Sequence, residues 1–234
     1  NSLFARIDTL LLRERRFTAE AAHELRTPLA ILRAQWDVVK RSASDEERAE
    51  AQERMDAGLA RMDRLVTQML ALSRAESLSL DLRGTDVAWT PVIEQVMSDC
   101  LDLANRRRIE LVCEWPPAGA LPLPLIGDAH LLTVLLRNLV DNAARYAPAG
   151  STVTLRMGPS QVEVENPGGP LPAEQLETLG QRFHRPAGQA EDGSGLGVSI
   201  ARRIAALHGL EVVYDAGPGN TVRAVVRHAS LTSP

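Results

Sequence analysis

Apolar residues recur with heptad spacing in the first third of the chain. In each of two runs they are separated by 4, 3, 4 and 3 residues, which is the spacing of an amphipathic helix with a coiled-coil seam. The pattern predicts two long helices within residues 1–76. The two runs are Leu25, Leu29, Leu32, Trp36 and Val39, followed by Met55, Leu59, Met62, Val66 and Met69.

The segment between the two runs predicts a short connection. It reads SASDEE, in which Ser44 and Glu47 have the spacing of a capping box at the start of the second helix. Two amphipathic helices joined in this way form an antiparallel hairpin. Because one hairpin buries too little apolar surface alone, we expect two copies to pair into a dimeric four-helix bundle.

Beyond about residue 80 the pattern changes to short segments typical of β-strands. These segments are RIELVCEW, STVTLRM, QVEVEN, LEVVYDA and TVRAVVRHA. They are interleaved with helical patterns at 90–106, 128–146, 172–180 and 195–208. The second part is therefore predicted to be a mixed α/β layered domain. We expect a helical domain over residues 1–78 and an α/β domain over residues 79–234.

The composition narrows the class of protein. Hydrophobic residues make up 44% of the chain and charged residues 24%, as in ordinary soluble domains. The net charge of -4 argues against non-specific binding to nucleic acid. Cys100 and Cys113 lack metal-site and CxxC spacing, so we expect two thiols in a reducing compartment. The chain starts mid-pattern without methionine, which indicates a fragment of a longer protein.

The first candidate site lies in FTAEAAHELRTPLAIL, residues 17–32. Extending the heptad seam backwards puts Ala22 in the core and turns His23 by about 100° away from it, toward solvent. A neutral imidazole is a competent nucleophile, and Glu24 beside it could accept its proton or orient the ring. Pro28 has no N–H and is expected to bend the helix. Viewed alone, this pattern favours a surface histidine beside a kink over a catalytic residue.

The second candidate site lies in LLRNLVDNAARYA, residues 135–147. Asn138 and Asn142 stand four apart, and Arg145 and Tyr146 follow on or near the same helical stripe. Amide oxygens suit Mg²⁺, and a guanidinium suits a phosphate. An ordinary polar helix face explains the segment about as well if it is viewed alone. The neighbouring apolar stripe, which is expected to pack on the sheet, is Leu132, Leu135, Leu139 and Ala143.

The third candidate site lies in EDGSGLGVSIARRIAALHG. Gly193, Gly195 and Gly197 lead directly into an amphipathic helix that Gly209 closes. Backbone N–H groups of flexible glycines at a helix N-terminus make an anion site. A glycine-rich loop alone is weak evidence, because linkers look similar. The segment lacks the Lys of a Walker A loop and the preceding strand of a Rossmann turn.

Together and in this order, the three sites resemble those of two-component sensor histidine kinases. The likeness runs nearly end to end and is to the kinases that partner OmpR-type response regulators. ERRFTAEAAHELRTPLA resembles their phosphoacceptor box, RNLVDNAARYAPAG their asparagine box, QRFHRP their phenylalanine box and GSGLGVSIARRIAALHG their second glycine box. The resemblance implies a dimerisation and histidine-phosphotransfer hairpin, followed by an α/β two-layer sandwich of the GHKL (Bergerat) ATPase type.

The resemblance also implies roles for individual residues. His23 would be the phosphoacceptor, with Glu24 as the assisting base and Thr27 orienting water when the partner regulator is dephosphorylated. Asn142 would be the Mg²⁺ ligand, with Asn138 beside the phosphates. The remaining positions implied to surround ATP are Arg145, Tyr146, Asn166, Gly168, Phe183, Arg185, Gly193, Gly195, Leu196, Gly197 and Thr221.

One segment departs from the family pattern. The first glycine box is usually Asp-x-Gly-x-Gly, and the corresponding run VEVENPGGPLP places Asn166 at the aspartate and Pro170 at the second glycine. An asparagine carbonyl can still accept a hydrogen bond from the adenine amine. The contact loses its charge assistance, which weakens it by ~1 kcal/mol. Glu165 could substitute only with a shifted strand register.

Three functions stay open at this point. The leading one is an ATP-dependent protein-histidine kinase that passes phosphate from His23 to a response-regulator aspartate and also acts as its phosphatase. A dimeric adaptor with a degenerate nucleotide site is the alternative that Asn166 and Pro170 support. A plain ATPase is the third. By resemblance, the full-length protein would be a bacterial inner-membrane sensor, anchored upstream of LFARIDTLLLRERR, with this chain as its cytoplasmic portion.

Overall fold

The computed structural model describes residues 25–26, 28–42, 44–77, 85–168, 197–217 and 219–229. The chain divides into two compact units, residues 1–70 and 71–234. The domain boundary expected between residues 78 and 79 lies outside the described residues and stays a prediction.

The first unit is a helical hairpin. Residues 25, 26 and 28–41 have helical backbone and form α1, and α2 is Asp45–Ser77. The amide of Glu47 donates a 3.1 Å hydrogen bond to Ser44 Oγ, so the predicted cap is present at the start of α2. Leu32 is buried against Gly58, where an added β-carbon would lie 2.8 Å from Leu32 Cδ2. The predicted antiparallel hairpin is therefore confirmed.

The second unit is built on a five-stranded sheet. Its strands are β2 (Glu110–Glu114), β4 (Thr152–Met157), β5 (Gln161–Pro167), β6 (Leu210–Gly217) and β7 (Thr221–His228). They lie in the order β2-β4-β5-β7-β6, with β2 parallel to β4 and the other neighbours antiparallel. A tight turn at Gly219 and Asn220, with φ of 70° and 67°, joins β6 to β7. All five strands come from segments whose alternation predicted them.

Two short strands were not predicted from the sequence. They are β1 (Thr85–Asp86) and β3 (Ile126–Gly127), which pair with each other in antiparallel fashion. Each has two residues, too few to show a period. The pair brings Thr85–Asp86 beside the residues that immediately precede the helix Ala129–Tyr146.

Among the described residues, three helices cover one face of the sheet. They are α3 (Trp89–Arg107), α4 (Ala129–Tyr146) and α5 (Gly197–Leu207), close to the predicted 90–106, 128–146 and 195–208. The apolar stripe expected on α4 is buried throughout, together with sheet residues such as Leu155, Val162 and Val164. This arrangement confirms the predicted two-layer α/β sandwich. The helix expected at 172–180 lies outside the described residues.

The other face of the sheet carries charged side chains in facing pairs. Arg156 contacts Glu114 at 2.6 Å, Glu163 at 2.9 Å and Glu165 at 3.4 Å. These hydrogen bonds raise the pKa of the Arg156 guanidinium, the Glu114 bond most strongly. The charged side chains of this face therefore bond one another across neighbouring strands. Within the described part of the chain, no helix is both long and apolar enough to span a membrane.

Candidate functional site

Helix α4 carries the residues of the second candidate site. Asp128 starts it by accepting hydrogen bonds from the amides of His130 at 2.8 Å and Leu131 at 3.0 Å. One side of the helix is buried on the sheet. Asn142, Arg145 and Tyr146 lie toward its C-terminal end with partly or largely exposed side chains. The helix thus presents amide, guanidinium and phenol groups along its last two turns.

Asn138 is buried rather than part of an exposed polar face. Its side chain is 7% exposed, and its amide nitrogen donates a 2.8 Å hydrogen bond to the carbonyl of Val134. Its other end faces the start of α5, where a β-carbon on Gly197 would lie 3.0 Å from Asn138 Oδ1. The second and third candidate sites therefore meet at these two residues. A β-carbon at residue 197 would require the Asn138 side chain or the start of α5 to shift by a few tenths of an ångström.

A second close approach lies at the end of β5. Asn166 is 6% exposed, and its amide nitrogen donates a 2.9 Å hydrogen bond to the carbonyl of Pro167. A β-carbon on Gly168 would lie 3.4 Å from both Asn166 Nδ2 and the Tyr146 carbonyl oxygen. The asparagine of the first glycine box, its glycine and the end of α4 are thus neighbours. This bond engages one of the two N–H groups of the Asn166 nitrogen, and the carboxamide oxygen is the acceptor of this side chain.

The strand register decides which of two neighbouring side chains faces the helices. Glu165 pairs with Arg223 and points to the charged face, where its carboxylate contacts Arg156. Side chains alternate along a strand, so Asn166 points to the opposite, helix-covered face. The unshifted register therefore supports Asn166, and not Glu165, as the residue at the family's aspartate position.

Thr221 is not brought to this cluster. It pairs with Pro167 across the sheet, and its hydroxyl donates a 2.8 Å hydrogen bond to Glu165 Oε1 on the charged face. This register places the Thr221 side chain on the opposite face from Asn166. The expectation that Thr221 lies at the adenine end therefore finds no support in the placement of its hydroxyl.

Residues of three predicted segments lie outside the described part of the chain. Their predicted roles stay predictions, and no geometry is assigned to them. They are His23, Glu24 and Thr27 of the phosphoacceptor box, Phe183 and Arg185 of the phenylalanine box, and Gly193, Gly195 and Leu196 of the second glycine box.

His208 is a structural residue of this region that sequence patterns did not single out. It is buried, and its Nε2 accepts a 3.0 Å hydrogen bond from the amide of Asp128. Its Nδ1 lies 2.8 Å from the carbonyl of Ile204, to which it donates in the matching tautomer. The ring thus joins the C-terminal end of α5 to the N-terminal cap of α4. The only signal in the sequence was its place just before the helix-closing Gly209.

The geometry describes a site that suits a nucleotide. Amide oxygens, a glycine at a helix N-terminus and the end of a strand converge between α4, α5 and β5. Backbone N–H groups at such a terminus bind anions, and buried amides recognise the edges of a base. The described residues of the second unit therefore bring together groups that suit the phosphates and the base of a nucleotide.

Comparisons with known proteins agree with this description. Residues 127–230 match the family model "Histidine kinase-, DNA gyrase B-, and HSP90-like ATPase". Residues 13–78 match the model "His Kinase A (phospho-acceptor) domain". The chain is also 40% identical over 228 residues to Sensor protein QseC of Salmonella typhi. The chain therefore contains a His Kinase A phospho-acceptor domain, followed by an ATPase domain of the histidine kinase, DNA gyrase B and HSP90 type.

The coverage of this relative differs between the two proteins. The alignment takes in 97% of this chain and 50% of the Salmonella typhi protein, so the chain spans about half the length of the curated relative it matches.

Solved structures of sensor histidine kinases have the same fold. The cytoplasmic segment of histidine kinase QseC matches with a TM-score of 0.50 and 27% identity, covering 71% of this chain and 91% of that one. Histidine kinase ThkA, solved in complex with response regulator protein TrrA, matches with a TM-score of 0.62 and 22% identity. That match covers 97% of this chain and 66% of the other. At this identity the ThkA likeness concerns the fold alone.

Proposed function

We propose that this chain is the kinase portion of a two-component sensor, which transfers the γ-phosphoryl group of ATP to His23. The observation that carries the proposal is the approach of Asn138 to Gly197, since it joins the asparagine box to the glycine-rich helix start. It lies within an ATPase-family segment that follows a phospho-acceptor segment containing His23.

The nucleotide would lie between α4, α5 and the end of β5. Asn166 Oδ1 would accept a hydrogen bond from the exocyclic amine of adenine, beside Gly168 and Tyr146. Arg145 and backbone amides near Gly197 would contact the phosphates, together with the predicted Phe183, Arg185, Gly193, Gly195 and Leu196. Mg²⁺ would be held by the Asn142 amide oxygen and by phosphate oxygens, which is the oxygen-rich environment that this ion prefers.

The transfer step needs a nucleophile and a proton acceptor. A ring nitrogen of His23 would attack the γ-phosphorus, so that an N–P bond forms as the P–O bond to the β-phosphate breaks and ADP leaves. Glu24 would take up or orient the ring proton. The phosphoryl group would then pass to an aspartate of a response regulator. In the separate phosphatase reaction, Thr27 would orient a water molecule that attacks the aspartyl phosphate of the regulator, so that the P–O bond to the aspartate breaks and inorganic phosphate leaves.

The proposed functional form is a homodimer. In the single chain, four residues of the predicted seam are between 42% and 55% exposed. An exposed row of large apolar side chains is typical of a surface that another protein chain covers. A second hairpin packed against this face would cover them in a four-helix bundle. The four residues are Leu29, Trp36, Leu59 and Val66.

The proposed partner is a response regulator with an OmpR-type receiver domain. The phospho-acceptor segment supports a regulator as the destination of the phosphoryl group, and the solved ThkA complex contains a regulator in that protein's case. We propose further that the full-length protein is a sensor anchored in the bacterial inner membrane upstream of this chain. This chain would then be its cytoplasmic portion.

Incubation with γ-labelled Mg-ATP tests the proposal. Wild type and His228→Gln should acquire a label that is lost in acid and stable in base, as expected of a phosphohistidine. His23→Gln should bind nucleotide normally and acquire no label. His228 is an exposed residue on β7, so it is a matched histidine control.

The same assay separates the alternatives. Failure of wild type to bind any nucleotide would favour the dimeric adaptor, for which Asn166 is the supporting observation. ATP turnover without a label on His23 would favour a plain ATPase. Either result would overturn the proposed kinase.

A further inference from the structure

Tyr214 lies on the helix-covered face of the sheet. It is in β6, where it pairs with Ala224 of β7, and Ala224 pairs in turn with Val164 of β5. Directly paired residues point to the same face, and so do residues two apart along one strand. Tyr214 therefore faces the same side as Asn166, two residues beyond Val164.

The hydroxyl group of Tyr214 is buried and makes no hydrogen bond to any described residue. A buried hydroxyl without a partner destabilises the folded state, because its hydrogen bonds to water are lost and no hydrogen bond within the protein replaces them. Burial is also the main reason that the pKa of this phenol is raised. The group is thus a neutral donor and acceptor without a hydrogen-bonding partner among the described residues.

The charged and titratable groups that act on this hydroxyl belong to the elements of the proposed nucleotide site. Arg202 on α5 lowers the phenol pKa, against the larger effect of burial, and Tyr146 at the end of α4 raises it. Tyr146 is also the residue whose carbonyl lies beside Gly168 and Asn166. The buried hydroxyl therefore lies within electrostatic range of α5 and of the end of α4, on the face of the sheet that carries Asn166.

We propose that Tyr214 is a further nucleotide-binding residue, whose hydroxyl forms a hydrogen bond with the nucleoside part of bound ATP. A neutral phenol suits a heterocyclic nitrogen or a ribose hydroxyl better than it suits a phosphate. Its position also favours the nucleoside, since it shares a face with Asn166 at the proposed base end. This inference rests on the proposed function.

Tyr214→Phe tests the inference in the full chain, because it removes the hydroxyl and keeps the ring. Loss of one neutral hydrogen bond should weaken Mg-ADP and Mg-ATP binding by about two- to tenfold in calorimetric titration. Inorganic tripolyphosphate, which lacks a nucleoside, should bind wild type and variant equally. Without nucleotide, the variant should unfold at the same temperature as wild type or higher, because an unsatisfied buried group has been removed.

The outcomes separate this inference from the kinase proposal. Equal Mg-ADP affinity of wild type and Tyr214→Phe would overturn the role of Tyr214 and leave the kinase intact. Equal weakening of Mg-ADP and tripolyphosphate would also overturn it, since the effect would not be at the nucleoside. A wild-type chain that binds no nucleotide would overturn both proposals. A lower unfolding temperature of the free variant would identify the hydroxyl as structural and contradict the inference.

Discussion

The side chain of Asn138 occupies the space that a β-carbon on Gly197 would need. The distance from that position to Asn138 Oδ1 is 3.0 Å, which is tighter than ordinary van der Waals contact. One residue comes from the middle of α4 and the other starts α5. A β-carbon at residue 197 would therefore displace its neighbour by a few tenths of an ångström, and the proposed phosphate site lies at this junction.

Gly197→Ala should displace either the Asn138 carboxamide or the start of α5. Overpacking of this kind costs about 1–3 kcal/mol, and we expect nucleotide affinity to fall by about tenfold. The free energy of unfolding and the Mg-ADP affinity can be measured on the same variant. Unchanged values of both would contradict the tight packing described here.

A double-mutant cycle identifies the partner of the added methyl group. Asn138→Ala should remove the obstruction, so the two substitutions should couple by about 0.5–3 kcal/mol. Ala206→Gly provides the control, because Ala206 is exposed on α5 and distant in sequence from its start. That substitution costs helix propensity alone and should add to Asn138→Ala without coupling. If the effects of Gly197→Ala and Asn138→Ala were also additive, the methyl group added at residue 197 would not contact the Asn138 side chain.

His208 is expected to stabilise the second unit through both ring nitrogens. His208→Ala should cost about 2 kcal/mol, because the Asp128 amide loses its acceptor and a buried ring is removed. His228→Ala is the matched control, since His228 is exposed and its loss should change stability by less than about 0.5 kcal/mol. Urea unfolding of both variants measures the difference. Equal stabilities would contradict the bridging role of His208.

The elements that repeat locally could be predicted from the sequence, and those made by distant pairing could not. Heptads in the first unit and alternation in β2 and β4–β7 are properties of contiguous residues, so they predicted the hairpin and the sheet. Strands β1 and β3 exist because Thr85–Asp86 meets Ile126–Gly127, about forty residues further along the chain. A two-residue strand has no period to detect.

The same distinction applies to the site. The motif at Asn138 and the glycines before α5 could be found separately in the sequence, but their contact depends on how α4 and α5 pack. Motif likeness put Thr221 near the adenine end, whereas strand register turns its hydroxyl to Glu165 on the other face. No motif singled out the side chains of Tyr214 and His208, because their burial and hydrogen-bonding environment arise only after folding.

Gly58 should set the closeness of α1 and α2 in the hairpin. Gly58→Leu places a large side chain where a β-carbon alone would lie 2.8 Å from Leu32 Cδ2, so we expect a loss of about 1–3 kcal/mol. Leu32→Ala should restore part of the loss by vacating that space. Ala57→Leu is the control, because its neighbouring position on α2 is exposed. Thermal unfolding at one protein concentration compares them, and a similar effect at both positions would contradict this packing.

Alkaline pH should destabilise the second unit through Cys100. Burial, and then the Asp141 carboxylate, raises the pKa of this thiol above its ordinary value of 9.0, whereas Arg137 opposes the shift. Above about pH 9 the unfolded chain therefore loses a proton that the folded chain keeps. Stability conferred by the protonated thiol is complete below that pH and declines as the pH rises, by up to about 1.4 kcal/mol per pH unit.

Cys100→Ala should remove this contribution to the pH dependence. At pH 7 the free energy of unfolding of the variant should be lower than that of wild type, because a buried side chain is shortened. The difference should narrow between about pH 9 and pH 11, because only wild type loses the contribution of the protonated thiol. Cys113→Ala is the comparison. Burial also raises the pKa of the Cys113 thiol, but this side chain is only half-buried, whereas Cys100 is fully buried. Urea unfolding across that pH range measures both variants. A gap between wild type and Cys100→Ala that stays constant with pH would show that Cys100 keeps its ordinary pKa in the folded chain.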